Sequence, residues 1–447
     1  MAKENPIQLS DHFTYGKLIR FTIPSIAMMI FSSVYGVVDG FFVSNFAGKT
    51  AFAAVNFIMP VLMIMGTFGF MFGTGGSALI SKTMGEGDKP KANRIFSMLT
   101  YISLGTGIVL GLLGCLFLRP LAGLLGAEGE LLENSIVYGR IILLALPAYM
   151  LQMEFQSFFV TSEKPQLGFW VTVGAGVTNM VLDGLFVAVF QWGLVGAAWA
   201  TAISQMVGGF LPLVYFFRPN TSLLRLGKTV FDGRALLLTC TNGFSELLGN
   251  ISMSLVAVLY NVQLMKFAGE DGLAAYGVLM YVSMIFFSAF MGYSVGTAPV
   301  IGFHFGAGNH DELKNLLKRS VIIIGTLSVC MFFTSELIAR PMATFFVGYD
   351  TDLLELTVRG FRVYSFMFLF AGMGIYGSSF FTALNNGIVS AVISALRTLG
   401  FQVLAILLFP VFWGTDGIWI SEVFAEAMTV VMVVICLVLF RKRYRYW

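Results

Sequence analysis

The chain has 447 residues, of which 57% are apolar or aromatic and only 11% charged, with a net charge of +3 and a mean hydropathy of +0.83. A soluble chain carries roughly 45–50% apolar and about 25% charged residues. A soluble enzyme, a disordered protein and a nucleic-acid binder with a basic footprint are therefore excluded, and an integral membrane protein is left.

A spanning helix needs about 20 mostly apolar residues. In chain order the sequence offers roughly twelve, near residues 18–44, 52–81, 95–118, 135–160, 166–190, 192–217, 236–265, 273–303, 316–339, 358–384, 388–412 and 414–440. The fifth and sixth are split only by Gln191-Trp192-Gly193, and the eleventh and twelfth by Trp413-Gly414. Only short loops remain, so no separate soluble domain is expected. Lipid forces backbone groups to pair within a segment, which predicts helices, and the alternation of a membrane barrel is absent. The first sixteen residues are polar and show no cleavable signal pattern.

With the N-terminus cytoplasmic, nineteen lysines and arginines fall on that side, Lys3, Lys82, Arg218 and Arg441 among them. Seven, including Lys49 and Arg340, fall on the other, and Arg397 sits within a span. Both termini are thus expected on the cytoplasmic face of the cell membrane. Cys115, Cys240, Cys330 and Cys436 lie far apart in apolar runs and suit neither disulfides nor zinc. His12, His304 and His310 fall in polar segments.

The two halves superpose at an ungapped offset of 221 residues. Phe46-Ala47-Gly48 recurs as Phe267-Ala268-Gly269, Gly85-Glu86-Gly87 as Gly306-Ala307-Gly308, Arg119-Pro120 as Arg340-Pro341, and Trp192-Gly193 as Trp413-Gly414. Each half has six spans, so both insert the same way up: a parallel repeat with a pseudo-two-fold along the membrane normal and a substrate path between the halves. The expected organisation is an N-terminal six-helix lobe (1–217), a cytoplasmic connector (218–235) and a C-terminal six-helix lobe (236–447) with a basic tail. Such a repeat points to a secondary transporter. Gly48-Lys49-Thr50 and Gly227-Lys228-Thr229 resemble the end of a phosphate loop, but Val43 and Ser222 occupy the positions of its first glycine, so ATP is not expected. Gly66, Gly69, Gly73, Gly75 and Gly76 inside the second span read as close helix packing or a flexible segment rather than a cofactor site.

A carboxylate at mid-bilayer costs at least about 2.5–3.5 kcal/mol, which makes each one a functional candidate. These are Asp39, Asp183, Glu246, Glu422 and Glu426, with Glu154 nearer the cytoplasm; Glu336 is expected to pair with Arg340. Asn179 and Asp183 are four apart and share a helix face. Asp39, Asn179, Asp183 and Thr201 reach similar depths and can converge in the outer half of the N-terminal repeat. A purely structural polar cluster is the alternative. Two carboxylates in low dielectric cannot both ionise cheaply, so such a site would hold a proton or Na⁺. An ion moving inward gains about 2.3 kcal/mol per 100 mV, which can drive something else outward. The offset partners are Tyr260, Gly400, Leu404 and Glu422, so the C-terminal copy is expected to share the scaffold but not the chemistry. Arg397 reads as a partner of Glu422 or Glu426, or as a snorkelling end residue. Glu246 reads equally as a substrate contact or a structural group.

The whole pattern resembles the multidrug and toxic compound extrusion (MATE) family. The resemblance rests on the 6+6 parallel repeat, Pro24 followed by Val38-Asp39-Gly40, the run Gly73 to Ser77, and Gly85-Glu86-Gly87-Asp88 with its copy Gly306-Ala307-Gly308-Asn309. It implies an all-α fold of two pseudo-two-fold-related six-helix bundles. Asp39, Asn179, Asp183 and Thr201 are similar to the N-lobe cation site of the DinF-like branch, which would make the two aspartates the coupling carboxylates and Pro24 the bend of the first helix. Glu246 matches the span-7 glutamate of the NorM branch, but span 10 (Tyr364 to Leu384) lacks that branch's acid. The resemblance implies a monomeric, non-enzymatic antiporter, without cofactor, that exports amphipathic, often cationic drugs against H⁺ or Na⁺. A lipid-linked oligosaccharide flippase of the same superfamily is the alternative; it would need more intramembrane cations than Arg397.

Overall fold

A computed structural model describes residues 7–447, with Lys49 described by its backbone alone. Lys3, the first six residues of the polar N-terminal stretch, and the Lys49 side chain counted for orientation therefore lie outside the described residues. The described residues contain helices and loops and no strand. Among the described residues nine helices are long and apolar enough to cross a bilayer, and a helix pair bent by 47° makes a tenth span. Two of the nine break at a glycine in the left-handed region, Gly269 (φ 62°) and Gly414 (φ 56°).

Divided at those breaks, the described residues form twelve spans. These are α1 (Tyr15–Ala47), α2 (Thr50–Gly85), α3 (Lys89–Leu124), α4 (Gly129–Thr161), α5 (Pro165–Val189) and α6 (Gly193–Phe217). They continue as α7 (233–268), α8 (270–306), α9 (His310–Val347), the bent α10 (Thr351–Ser365 with Phe368–Ala383), α11 (387–413) and α12 (415–444). The seventh helix begins at Gly233, earlier than its apolar run, because Asp232 Oδ1 caps it by accepting the N–H groups of Arg234 and Ala235, each at 3.0 Å.

The sequence repeat is also a backbone repeat. Gly48 and Gly269, Gly87 and Gly308, and Gly193 and Gly414 are pairs at the 221-residue offset, and all six glycines have positive φ. A left-handed backbone costs an ordinary L residue about 1–2 kcal/mol, so glycine ends each of these helices sharply. The caps repeat too: Lys91 N–H donates to Asp88 Oδ1 at 3.0 Å, and its counterpart Glu312 N–H donates to Asn309 Oδ1 at 3.1 Å.

Glycines also set how the halves meet. A Cβ on Gly85 would strike the Phe303 carbonyl, and one on Gly306 would strike the Lys82 carbonyl. Gly85 and Gly306 are repeat partners, as are Lys82 and Phe303, so the pseudo-two-fold passes between α2 and α8 there. Gly75 packs on α7 at Thr239 and Gly243, and its repeat partner Gly296 packs on α1 at Thr22. Within the N-terminal half, Gly69 and Gly73 lie against the α4 backbone at Met150 and Glu154. The glycine-rich second helix is a close-packing element, as its sequence implied. All the inter-half contacts named here lie toward the face carrying Lys82, Lys89 and Arg234, called the basic face below.

Two further segments lie on that face. The connector runs along α3: Arg225 N–H donates to Asn93 Oδ1 (2.7 Å), Gly227 N–H to Ser97 Oγ (3.1 Å), Thr229 Oγ1 to the Arg94 carbonyl (2.7 Å) and Tyr101 OH to the Gly227 carbonyl (3.0 Å). Asp232 N–H reaches Met98 Sδ at 3.1 Å. The segment before α1 bridges the halves, with Leu9 and Phe13 buried. Leu9 N–H donates to Glu163 Oε1 in the α4–α5 turn at 2.6 Å. Phe13 N–H donates to Glu312 Oε1 at 2.9 Å and His12 Nδ1 lies 2.6 Å from Glu312 Oε2, both at the start of α9.

One expected ion pair is replaced. Glu336 accepts from Ser365 on α10, and Arg340 turns to Glu355 at 3.2 Å. Both partners lie on the first segment of α10, Thr351–Ser365.

Candidate functional site

Asp39 comes one turn before α1 loosens into a π-helical segment, Val43–Ala47, and Asp183 immediately precedes a second, Gly184–Val189. Such segments widen a helix and are frequent at functional sites. α6 lies alongside both, and the structure brings the four candidates together. Thr201 Oγ1 donates to Asp39 Oδ1 at 3.2 Å, and Asp39 lies within interaction range of Asp183 and Asn179. Asp39, Asn179 and Asp183 are all buried, Asp183 completely.

The notable property of this cluster is its unused bonding capacity. Both Asp183 carboxylate oxygens and both polar atoms of Asn179 are buried with no hydrogen-bond partner among the described residues. Buried polar groups are ordinarily satisfied, so this concentration needs an explanation. Two carboxylates, an amide oxygen and a hydroxyl form an oxygen set suited to a proton or to a hard monovalent cation. Sequence reasoning missed Tyr138 on α4, which is fully buried beside Asp39, Asp183 and Thr201 with its own hydroxyl unpartnered. It also missed Tyr35, one turn before Asp39, which faces Tyr149 and Gln152. A tyrosine in an apolar helix is too common to be a signal; only its i, i+3, i+7 spacing with Ser135 and Ile142 marked Tyr138 as inward-facing.

The C-terminal half carries a different polar network at the corresponding place. Tyr260 OH donates to Glu422 Oε2 at 2.8 Å and lies 2.8 Å from Ser421 Oγ, and Gln402 Nε2 donates to the same carboxylate. Residues 260 and 422 are the repeat partners of 39 and 201. The hydrogen bond between the first and sixth helices of each half is therefore kept, with the carboxylate moved from the first helix to the sixth. Arg397, in the third π-helical segment, Leu396–Gln402, makes a forked pair with Glu426 Oε1 at 2.8 and 2.6 Å. Of the alternatives for Arg397, the ion pair with Glu426 is the one formed. Glu246 lies within electrostatic range of Arg397 and lines a small chamber between the halves with Ser77, Ser157 and Met291. Glu154 is fully buried and has no hydrogen-bond partner among the described residues, its Cα close to Gly73. Pro24 lies inside α1, which continues through it as one helix.

Comparison with known proteins places this architecture. The family model described as MatE matches residues 24–185 and 247–408, one segment in each half. Multidrug export protein MepA of Staphylococcus haemolyticus is 25% identical over 382 residues, covering 83% of this chain and 84% of that protein. MepA of Staphylococcus aureus strain MSSA476 is 24% identical over 429 residues, covering 95% and 94%. The outward-facing conformation of a multidrug resistance MATE family transporter of the MOP superfamily superposes with a TM-score of 0.91 at 23% identity, covering 100% of this chain and 99% of that one. The fold is thus that of the MATE transporters, multi-pass and membrane-embedded. With more than half of its length inside the two matched segments, the chain belongs to the MatE family, on the side of the MepA-like transporters.

Proposed function

We propose that this chain exports amphipathic, often cationic compounds across the cell membrane in exchange for H⁺ or Na⁺. The observation that carries the reading is the buried Asp39–Asp183 pair, with both Asp183 oxygens lacking a hydrogen-bond partner among the described residues, present in this form in the N-terminal lobe. An uncompensated acidic pair in hydrocarbon favours uptake of a small positive charge. Ion entry at Asp39, Asn179, Asp183 and Thr201 favours one orientation of the lobes, and a drug between the lobes favours the other. A ligand moves such an equilibrium only by its difference in affinity for the two states. In this reading the chain acts as a monomer without a cofactor, with both termini on the cytoplasmic side, where the basic face lies. The relatives named multidrug export proteins support drugs as the cargo. The flippase alternative is weakened because Arg397, the cation it would need, is engaged by Glu426.

Ethidium efflux from cells expressing Asp39→Asn or Asp183→Asn at wild-type protein levels tests the reading. Gradient-dependent efflux should fall by about tenfold or more, the equivalent of one lost charge-assisted interaction. Wild-type rates in both variants would remove the coupling role. Counterflow in proteoliposomes, with proton and sodium gradients imposed separately, identifies the ion.

A further inference from the structure

Between α5 and α6 of the N-terminal lobe lies a groove of about 690 Å³. Sites that hold an organic molecule run to about 300–1,000 Å³. Phe159 at the end of α4 forms its floor, Leu167 and Val171 one wall, and Val207, Phe210 and Val214 the other. The floor is firm. Phe159 is only 2% exposed, its ring lies 5.3 Å from that of Phe216, and a Cβ on Gly168 would stand 2.9 Å from its own Cβ. The second wall is fixed as well, because Gly209 sits directly against the Ala148 carbonyl on α4.

The groove opens into hydrocarbon, since Phe210, Leu211 and Val214 are exposed on a membrane-spanning helix. It is separate from the ion site: Ile203 in its lining and Thr201 beside Asp39 lie about 200° apart around α6. Ile203, Val207, Phe210 and Val214 recur at helical spacing, and four residues further on Arg218 closes the helix on the basic face. Arg218 is the only charged residue in the lining, which includes no acid. Its guanidinium has no partner among the described residues, and neither has the hydroxyl of Tyr215 beside it in the groove.

These features select an occupant. A lipid tail gains little on leaving the bilayer for the groove, because tails are as apolar as the side chains that line it. Discrimination therefore falls to the polar end. Arg218 repels an amphipathic cation, and a zwitterionic headgroup brings an ammonium for which the lining offers no carboxylate. A phosphate of net negative charge meets the guanidinium without such a cost, in the planar geometry arginine favours. The scaffold does not demand this arginine. Its repeat partner is the exposed Leu439, the partner of Tyr215 is Cys436, and that of Ile203 is Phe424, whose ring lies 5.0 Å from that of Phe409.

We infer that the groove between α5 and α6 binds an anionic phospholipid of the leaflet at the basic face, with an acyl chain against Phe159 and Val207 and the headgroup phosphate on Arg218. The site goes beyond the exporter reading and does not depend on it, since it uses none of the residues that would hold the coupling ion.

Photolabelling of the full chain in phosphatidylcholine liposomes tests this. Phosphatidylglycerol and phosphatidylcholine, each carrying the same photoactivatable acyl chain, are added separately in equal trace amounts, and the labelled peptides are mapped. The share of total label falling on residues 203–218 should be about fivefold larger with phosphatidylglycerol, the factor expected of one arginine near a membrane surface. Arg218→Gln should bring the two shares level, and Arg218→Lys, which keeps the charge, should retain the preference. Val207→Trp, which fills the groove and leaves Arg218 in place, should lower the phosphatidylglycerol share by a similar factor. Equal shares in the unmodified chain, or a preference that survives Arg218→Gln, overturn the inference. Displacement of the label by ethidium would assign the groove to exported compounds and overturn it too. Failure of the exporter reading would appear instead in the efflux of the aspartate variants.

Discussion

Tyr138 is the residue whose placement asks for the most direct test. Its hydroxyl is buried beside Asp39, Asp183 and Thr201 with no hydrogen-bond partner among the described residues. The unpaired phenol oxygen can join the ligands of an entering Na⁺, and an interaction with a charged group contributes about 1.5–3 kcal/mol, so Tyr138→Phe should raise the Na⁺ concentration for half-maximal ethidium efflux by about tenfold. An unchanged ion dependence would mean that the hydroxyl is spectator packing. Gly85 makes a different prediction, because a side chain there meets the Phe303 backbone, which has little freedom to yield. Gly85→Val should cost about 1–3 kcal/mol in the state where the lobes touch. The check is increased labelling of a cysteine introduced at Thr74. The aspartates could be found from sequence because a carboxylate in an apolar run is costly and therefore rare. Tyr138 could not, because tyrosine hides easily in membrane helices. Tyr260 and Glu422 were both visible as the partners of Asp39 and Thr201, but their positions do not disclose that the two bond to each other.

Among the elements, the segment before α1 is held by side chains from both lobes, and one of them confers pH dependence. Burial pushes the Glu163 carboxyl above its usual range, an effect that the hydrogen bond from Leu9 N–H partly opposes. The docked segment therefore binds a proton at Glu163 more readily than the undocked one. Docking is strongest in acid and weakens as pH rises through the raised value. Amide hydrogen exchange at Leu9 and Phe13, corrected for intrinsic rates, should show protection that declines over that window. Glu163→Gln should hold the protection flat, and a pH dependence surviving in that variant would locate the titrating group elsewhere. The repeated caps carry a simpler prediction: Asp88→Ala and Asn309→Ala should each destabilise by about 0.5–2 kcal/mol in thermal unfolding. The π-helical segments beside Asp39, Asp183 and Arg397 were invisible in the sequence, since one extra residue per turn leaves no compositional mark. The caps were present there as Asp and Asn after a glycine, already inside the motif that carried the family resemblance.

At the scale of the whole molecule, twelve spans, two lobes and the register of the repeat were readable because lipid imposes long apolar runs and the halves share one offset. The 47° bend in α10 was not, since its repeat counterpart α4 runs through Pro147 as a single helix. Nor was the contact between α1 and α8, where Ser33 and Ser288 hydrogen-bond across the lobes. With the four native cysteines replaced, Ser33→Cys/Ser288→Cys should cross-link on oxidation, stop efflux and recover with reductant. Continued efflux from the oxidised protein would show that α1 and α8 need not separate.

The strap from Arg225 to Asp232 bears on how that separation can happen. Because its backbone and side chains are bonded to α3 along most of its length, it is a hinge leaf fixed to one door jamb rather than a slack cord. The beginning of α7 is accordingly leashed to the N-terminal lobe, and the wider swing falls to the opposite edge, where α1 faces α8. A compound entering from the basic face would then pass beside the first helix, toward whose far end Asp39 lies.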